Sequence, residues 1–283
     1  MNDTQVLSSL GAIIAREPVD EVLVALPLRR RRDLIEKIVE ACEEQGIMVR
    51  VRTDLFDLRV ARPQVDTIDG VPVVTIRSGP EDGWQLVAKR IMDVIVSLSF
   101  LILLSPFLLL VALAIKIDSR GPVFFRQERV GLNRRRFYVL KFRTMVEQAD
   151  KTQESLEELN EADGPVFKIR KDPRVTRLGR FLRQFSIDEF PQLINVLRGE
   201  MSLVGPRPLP LRDVKLIDTQ WHKRRFSVKP GLTCLWQVNG RSDLSFERWV
   251  RMDLEYIDTW SLILDIKILL KTIPAVLRGS GAY

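Results

Sequence analysis

The first 80 residues alternate between helix-like and strand-like patterns of apolar positions. Apolar residues recur every three or four positions over about 4–16 and again over 33–46, which predicts two amphipathic helices. Three short β-rich segments separate and follow them: EVLVALP, IMVRVRT and VPVVTI. This order predicts one βαβ unit with an edge strand, a partial Rossmann-like α/β module over 1–80. No GxGxxG motif joins a strand to a helix, so we expect no dinucleotide there.

An uncharged run of 22 residues follows, from Val94 to Ile115. As a helix it would be about 33 Å long, enough to cross a bilayer. Ser105 and Pro106 lie in its middle, and proline removes a backbone hydrogen bond and clashes with the preceding turn. The run is therefore either a kinked span or two half-helices that meet at a break.

The rest of the pattern predicts a mixed, helix-rich domain. Residues 121–145 contain strand-like pieces on either side of GLNRRR, which predicts a β-hairpin. Residues 180–201 are helical in pattern with a break near Ser186, and 260–277 form a second apolar-rich helix. Residues 146–162 are acidic with few apolar positions and predict an exposed helix or loop.

Composition narrows the class of protein. With 46% hydrophobic and 29% charged residues, the chain is globular with one membrane element, not a multi-span transporter. A formal charge of +7 favours anionic partners, whether nucleic acid, lipid headgroups or phosphorylated substrates. Cys42 and Cys234 are the two cysteines, which indicates a reducing, cytoplasmic setting. His222 is the single histidine, and we expect it at the surface or half-buried, so acid/base chemistry rests on carboxylates, lysines or tyrosines.

Two adjacent carboxylates, Asp188 and Glu189, are the candidate chemical groups. On a helix they point about 100° apart, so their roles should differ. One interpretation is structural: Ser186 caps a helix and Glu189 closes an S-x-x-E capping box. In the other, an ionised aspartate at a helix start attacks phosphorus and holds a divalent cation. Basic residues suited to phosphate surround the pair in sequence: Lys141, Arg143, Arg183 and Arg207, the last held by Pro206 and Pro208.

Seven blocks occur in the order seen in the bacterial sugar transferases, the monotopic polyprenyl-phosphate phosphoglycosyl transferases. They are KRIMD (89–93), LLSPF (103–107), GPVFFRQERVG (121–131), KFRTM (141–145), DGPVFK (163–168), SIDEFPQLINVLRGEMSLVGPRP (186–208) and KPGLTCLWQVNGR (229–241). The resemblance covers about residues 85–275. Residues 1–80 resemble the soluble module of the longer members, which also carry membrane helices ahead of it; the 283 residues contain no such bundle.

The resemblance implies an enzyme that transfers a sugar 1-phosphate from a UDP-sugar to a polyprenyl phosphate, usually undecaprenyl phosphate, with release of UMP. It implies that Asp188 is the nucleophile and a Mg²⁺ ligand, with Glu189 as its partner. Phosphate and nucleotide would be bound by Lys141, Arg143, Arg183, Pro206 and Arg207. The resemblance also implies that this reaction is the first membrane step of exopolysaccharide, O-antigen or capsule synthesis. It is compatible with a homodimer.

The charges that flank the apolar run predict its topology. Lys89 and Arg90 precede the apolar run and Lys116 and Arg120 follow it, so both ends favour the cytoplasm. A re-entrant helix broken at Ser105 and Pro106, as in this family, keeps both basic ends on the cytoplasmic side. The Ser105 hydroxyl is a candidate hydrogen-bond donor to the backbone carbonyls that the break leaves unpaired. The resulting organisation has three parts: the module at 1–80, a linker and re-entrant helix at 81–120, and the catalytic domain at 121–283. It places the protein at the cytoplasmic face of a bacterial inner membrane, in contact with lipid.

Two other functions fit parts of the sequence. A catalytically silent membrane scaffold for polysaccharide assembly explains the module and the apolar run, but it gives no reason for the Asp-Glu pair. A basic nucleic-acid binder explains the charge, but only 7% of the residues are aromatic and the apolar run has no role. We therefore expect no nucleic-acid partner.

Overall fold

The computed structural model divides the chain into two compact units, 1–62 and 63–283. The predicted boundaries near residues 80 and 120 remain predictions. The residues that the structure describes are 3–16, 19, 21–43, 47–51, 62–68, 71–77, 83–147, 149, 157, 160–161, 164–167, 169, 172–217, 219–240 and 244–277. The predicted acidic segment at 146–162 falls mostly outside these residues.

The first unit contains the predicted strand-helix-strand order. Its elements are α1 (Asp3–Arg16), β1 (Glu21–Val24), α2 (Leu28–Glu43) and β2 (Met48–Val51). Strands β1 and β2 pair in parallel, with Glu21 opposite Met48 and Val24 opposite Val51. The apolar face of α2, with Leu34, Ile38 and Cys42, is buried against them. The predicted βαβ unit is confirmed, and its Rossmann-like identity remains a prediction.

Two strands precede the long helix. Strand β3 (Arg62–Ile68) pairs with β4 (Val71–Arg77). The sequence predicted β4 and missed β3. Pro63 and two charged residues interrupt the apolar alternation of β3, and this hides the strand from a pattern search.

Helix α3 (Trp84–Asp118) contains the whole apolar run. Among the described residues it is the one helix long and apolar enough to cross a membrane, judged by length and composition. The helix continues through Ser105 and Pro106, so two separate half-helices are not observed. Pro106 leaves the Ile102 carbonyl without its amide partner, and the Ser105 hydroxyl donates a 2.8 Å hydrogen bond to that carbonyl.

The second unit contains a three-stranded sheet. Strands β5 (Phe124–Val130) and β6 (Arg136–Phe142) make the predicted antiparallel hairpin, with Phe125 opposite Lys141. The short strand β8 (Leu209–Pro210) joins the free edge of β5, giving the order β6-β5-β8. Strands β7 (Ser202–Val204) and β9 (Gly231–Thr233) form a separate parallel pair.

Helices complete the second unit. They are α4 (Arg177–Gln184), α5 (Gln192–Arg198), α6 (Leu211–Lys215), α7 (Leu235–Val238), α8 (Phe246–Thr259) and α9 (Leu262–Leu277). The helical break near Ser186 and the C-terminal apolar helix are both as predicted. The main core joins β6, α5, β7, α8 and α9 through buried apolar residues such as Val139, Val196, Met201, Ile257 and Ile268.

Helix α3 is attached to this core by three charged residues near its start. Lys89 pairs with the buried Asp265 on α9 at 2.5 Å. Arg90 donates to the carbonyls of Val196 and Leu197 at the end of α5, and Asp93 accepts a 3.0 Å hydrogen bond from the Leu203 amide. Lys89 and Arg90, predicted from the sequence to be charges that flank the membrane helix, also contact the protein interior.

Candidate active site

The Asp188-Glu189 pair lies on a single turn of 3-10 helix, Ile187–Glu189, between α4 and α5. Ser186, just before it, has a left-handed backbone conformation (φ 54°, ψ 23°), and its side chain makes no capping hydrogen bond. The capping-box interpretation is therefore wrong. The left-handed residue separates α4 from the next turn, in which both carboxylates are largely buried.

Glu189 holds two cations that come from distant parts of the chain. Lys141, on β6, donates a 2.7 Å hydrogen bond to Glu189 Oε1. Arg207, in the turn before β8, contacts both carboxylate oxygens through Nη1 at 3.2 Å and through a shorter contact from Nη2. The Glu189 side chain is 12% exposed. A fork-like arginine contact and a lysine thus fix one carboxylate in an enclosed site.

Asp188 has a different environment one residue earlier. It is 7% exposed, yet among the residues that the structure describes none donates a hydrogen bond to its carboxylate. Burial raises the pKa of Asp188 to about 6; the adjacent Glu189 charge also raises it, while Lys141, Arg183 and Arg207 oppose the rise. A buried carboxylate without donors keeps its oxygens available for another electrophile or cation.

Glu189 responds in the opposite direction. Burial alone would raise the pKa of Glu189, but the charges of Arg207 and Lys141 and the hydrogen bonds from both outweigh it, and the pKa lies well below its usual range. Burial also lowers the pKa of Lys141. Two neighbouring carboxylates whose pKa values are driven apart are suited to distinct chemical roles, with Asp188 the candidate reactive group and Glu189 the candidate partner that stays charged.

The remaining predicted site residues divide into two groups. Arg183, on α4, donates to the Thr144 hydroxyl at 2.9 Å, and its charge acts on Asp188. The Pro206 carbonyl accepts a 3.0 Å hydrogen bond from the Gly231 amide, which fixes the turn that carries Arg207. Arg143 lies elsewhere: its guanidinium donates to the carbonyls of Ser119 and Arg120 after the end of α3. The structure brings Arg183, Pro206 and Arg207 to the carboxylates and uses Arg143 to hold the end of the long helix.

A preformed metal cage is absent from the described residues, since no group of three or more His, Cys, Asp or Glu side chains could hold an ion there. Mg²⁺ commonly binds through one or two carboxylates, with water and substrate phosphates completing its octahedron. Asp188, buried and without donors, fits that pattern, whereas Glu189 is occupied by its two cations. The donor set thus fits an ion that enters together with a phosphorylated ligand.

Comparison with known proteins identifies similar chains. Residues 84–279 match the family model described as bacterial sugar transferase. The chain is 38% identical over 278 residues to the UDP-glucose:undecaprenyl-phosphate glucose-1-phosphate transferase of Xanthomonas campestris pv. campestris, covering 94% of this chain and 54% of that protein. It is 36% identical over 267 residues to the galactosyl transferase CpsE of Streptococcus agalactiae serotype III, covering 93% and 59%.

A shorter relative matches a smaller share of the chain. The exopolysaccharide production protein ExoY of Sinorhizobium fredii is 42% identical over 203 residues, which is 70% of this chain and 88% of ExoY. The chain spans between half and three fifths of the length of the two longer relatives. The similarity therefore covers a part common to short and long proteins.

Proposed function

The chain belongs to the bacterial sugar transferase family, and we propose that it transfers a sugar 1-phosphate from a UDP-sugar to a polyprenyl phosphate, releasing UMP. The acceptor we propose is undecaprenyl phosphate, which the Xanthomonas relative carries in its name together with UDP-glucose. The product would start an exopolysaccharide, O-antigen or capsule chain at the cytoplasmic face of a bacterial membrane. ExoY, by its name an exopolysaccharide production protein, supports that pathway class.

The observation that carries this proposal is the contrast between the two carboxylates. Asp188 is buried without hydrogen-bond donors from the described residues, while Glu189 holds Lys141 and Arg207 beside it. A diphosphate needs positive charge around its oxygens and a nucleophile at one phosphorus. The site provides both, because the two cations are fixed before the substrate arrives and require little reorganisation.

The reaction we propose has two displacements. An Asp188 oxygen forms a bond to the phosphorus that bears the sugar, the P–O–P bridge breaks, and UMP leaves with the bonding electrons. An oxygen of the polyprenyl phosphate then attacks the same phosphorus and releases the Asp188 carboxylate, giving a polyprenyl diphosphate sugar. Lys141, Arg183 and Arg207 offset the charge on the phosphoryl oxygens in both steps.

We propose Mg²⁺ as the cofactor. Asp188 would hold it together with oxygens of the diphosphate, and the ion would supply charge neutralisation between carboxylate and substrate. The remaining positive charge at the site comes from the chain itself, through Lys141 and Arg207. Glu189 keeps both side chains in place and stays ionised at neutral pH, since its pKa is held far below 7.

We also propose that α3 is re-entrant, with both ends at one membrane face. The start of α3 is bound to the domain through Arg90 and Asp93. Near its end, Val111 and Ile115 are buried against the same domain, in a cluster with Leu182. A simple span would separate the two ends by the bilayer thickness of about 30 Å. Contacts of both ends with one domain support a helix whose two ends stay at the same membrane face, with Ser105 and Pro106 inside the unbroken helix.

A second apolar surface supports membrane contact. Five side chains of α9 are exposed at spacings of three and four residues: Ile263, Ile266, Leu270, Ile273 and Leu277. Lys267 and Lys271 lie between them and are exposed as well. An apolar stripe with flanking lysines is typical of a helix that lies in the headgroup region. Because α9 is joined to α3 through the Lys89–Asp265 pair, we propose that both helices face the same leaflet.

The proposed activity can be tested by UMP release. Purified protein in nanodiscs should release UMP from at least one UDP-sugar when undecaprenyl phosphate and Mg²⁺ are present, and EDTA should stop the release. A panel of glucose, galactose and amino-sugar donors would identify the sugar. Absence of UMP with every donor, from folded protein, would favour the silent scaffold instead.

Replacing Pro106 with leucine should change the topology of α3. The substitution restores the missing amide and removes the clash, so a straight helix long enough to span becomes favourable. Gln85→Cys and Asp118→Cys, each introduced singly without Cys42 and Cys234, mark exposed positions at the two ends. In intact cells, a membrane-impermeant thiol reagent should label neither end of the parent protein and one end of part of the Pro106→Leu population.

The matched control is Pro274→Leu, which removes a proline from α9 and should leave the labelling of α3 unchanged. Labelling of one end in the parent protein would contradict the re-entrant proposal. Protection of both ends in both proteins would show that contacts with the domain, and not the proline, set the topology.

A further inference from the structure

The turn that carries Arg207 has three consecutive carbonyls, and each accepts a hydrogen bond from a different part of the fold. The Pro206 carbonyl accepts from the Gly231 amide at 3.0 Å. The Arg207 carbonyl accepts from Arg225 Nη2 at 2.9 Å, and the Pro208 carbonyl accepts from Arg129 Nη1 at 2.8 Å. Two of the three turn residues are prolines, which have no backbone N–H to donate, so hydrogen bonds within the turn do little to stabilise its conformation. Its conformation depends on these outside donors.

Arg225 reaches the turn from the 3-10 helix Gln220–Ser227. It is 2% exposed and pairs with Asp253 on α8, which is 1% exposed, at 2.7 Å. Its other terminal nitrogen, Nη1, is buried without a hydrogen-bond partner among the described residues. A buried guanidinium with an unused donor is costly, and an apolar side chain in its place would often stabilise a fold better. Stability alone is thus a poor reason for Arg225.

Arg129 contacts the same turn through a different carbonyl, that of Pro208. It lies on β5, where the register places it opposite Pro210 of β8. Besides the Pro208 carbonyl it contacts Gln127 at 2.5 Å, and its Nε is buried without a partner in the described part of the chain. Burial, with the charge of Arg207 added, lowers the pKa of Arg129 to about 10. The strand therefore places a second arginine next to Arg207 despite their repulsion.

We propose that Arg225 and Arg129 are positioning residues that hold the Pro206–Pro208 turn so that the Arg207 guanidinium faces Glu189 and the diphosphate. Neither needs to contact substrate. This inference rests on the proposed function for the role of Arg207, and its structural part can be tested separately. The Asp253 carboxylate pairs with the same Arg225 nitrogen that contacts the turn, so Arg225 joins the 3-10 helix, the turn and α8.

A double-mutant cycle tests this dependence. Arg207→Lys should lower kcat/KM for the UDP-sugar about 100-fold, because lysine lacks the planar guanidinium group that can donate to two oxygens at once. Arg225 Nη2 contacts both Asp253 and the Arg207 carbonyl. Arg225→Lys keeps the charge but replaces the planar guanidinium with an ammonium group on a differently shaped side chain, and should lower kcat/KM about 10-fold through misplacement of Arg207. In the Arg207→Lys background, Arg225→Lys should cost no more than about 2-fold further, because residues that act through one another are not additive.

Arg224→Lys is the matched control. Arg224 is the adjacent residue, and its guanidinium pairs with Asp258 near the end of α8. The substitution should leave kcat/KM within about 2-fold of the parent. If the Arg225 and Arg207 effects multiply, Arg225 acts independently of Arg207 and the inference is wrong. Should Arg225→Lys fail to fold, Arg129→Lys allows the same cycle through the other donor, and multiplying effects there would refute the inference equally.

Hydrogen exchange separates this inference from the proposed function. Arg225→Lys should speed amide exchange in the peptide that contains residues 205–209, whereas Arg224→Lys should not. Unchanged exchange with Arg225→Lys would overturn the positioning role even if UMP release is normal. Faster exchange without any UMP release by the parent protein would leave the positioning role intact and refute the proposed reaction.

Discussion

Asp188→Asn should abolish UMP release, with a loss of at least about 10³-fold, while the folded protein becomes no less stable. The amide cannot displace UMP or bind a cation as a carboxylate does. Because burial raises the pKa of Asp188 to about 6, the group is mostly ionised at neutral pH, but ionising it in the fold costs free energy relative to the unfolded chain. Asparagine removes that cost, and we expect a gain of about 1–2 kcal/mol in the free energy of unfolding at pH 7.

The sign of this stability difference can be checked with pH. A carboxyl whose folded pKa is raised destabilises the fold above that pKa, where it is ionised, and not below the unfolded value near 4. The advantage of Asp188→Asn should therefore shrink as pH falls through about 6. Denaturant unfolding at pH 7.5 and pH 5 measures it. Intact-mass analysis should also detect a phosphosugar adduct on the parent protein given UDP-sugar alone, and none on Asp188→Asn. Near-normal UMP release by the variant would refute the nucleophile assignment.

Glu189→Gln should lower activity by about 100-fold or more and, unlike Asp188→Asn, should destabilise the fold. The glutamine leaves Lys141 and Arg207 in an enclosed site without their shared negative charge. Breaking a buried ion pair by removing one partner costs about 3–5 kcal/mol, and we expect about 2–4 here because both cations are partly exposed. The denaturation midpoint and UMP release, measured on one preparation, test both expectations.

Glu247→Gln is the control for charge removal. Glu247 pairs with Arg251 on the surface of α8, and both side chains are more than half exposed. Its loss should change the free energy of unfolding by less than about 1 kcal/mol and leave UMP release unchanged. A Glu189→Gln protein as stable as the Glu247→Gln protein would show that Lys141 and Arg207 do not depend on Glu189.

Local sequence signals predicted the parts of the fold that neighbouring residues determine. The hairpin around GLNRRR, the break near Ser186 and the βαβ order all depend on turn residues and short-range periodicity. The charged cluster was partly predictable too, because Asp188 and Glu189 are adjacent and Arg207 stands between prolines. The opposite pKa shifts of Asp188 and Glu189 could not be predicted, because they depend on which of the two carboxylates Lys141 contacts across the fold.

Residues whose role is set by tertiary contacts were missed or misplaced. Arg143 and Arg183 look alike in sequence, yet Arg143 holds the end of α3 while Arg183 lies beside Asp188. Nothing in the sequence distinguishes Arg129 from Arg126; only the pairing of β5 with β8 places Arg129 at the Arg207 turn. The capping-box interpretation was wrong because Ser186 adopts a left-handed backbone conformation, which no local sequence pattern predicts.

The contacts of Lys89, Arg90 and Asp93 have a practical consequence for protein production. A water-soluble enzyme cannot be obtained by starting expression at residue 121, because the fragment would bury Asp265 without its lysine and leave the α5 carbonyls without the Arg90 donors. One face of the first turns of α3 contacts the core through Lys89, Arg90 and Asp93, and the exposed apolar residues near Leu103 and Leu109 are the part suited to contact lipid. Solubilising substitutions belong on those middle turns, with residues 84–97 kept as they are.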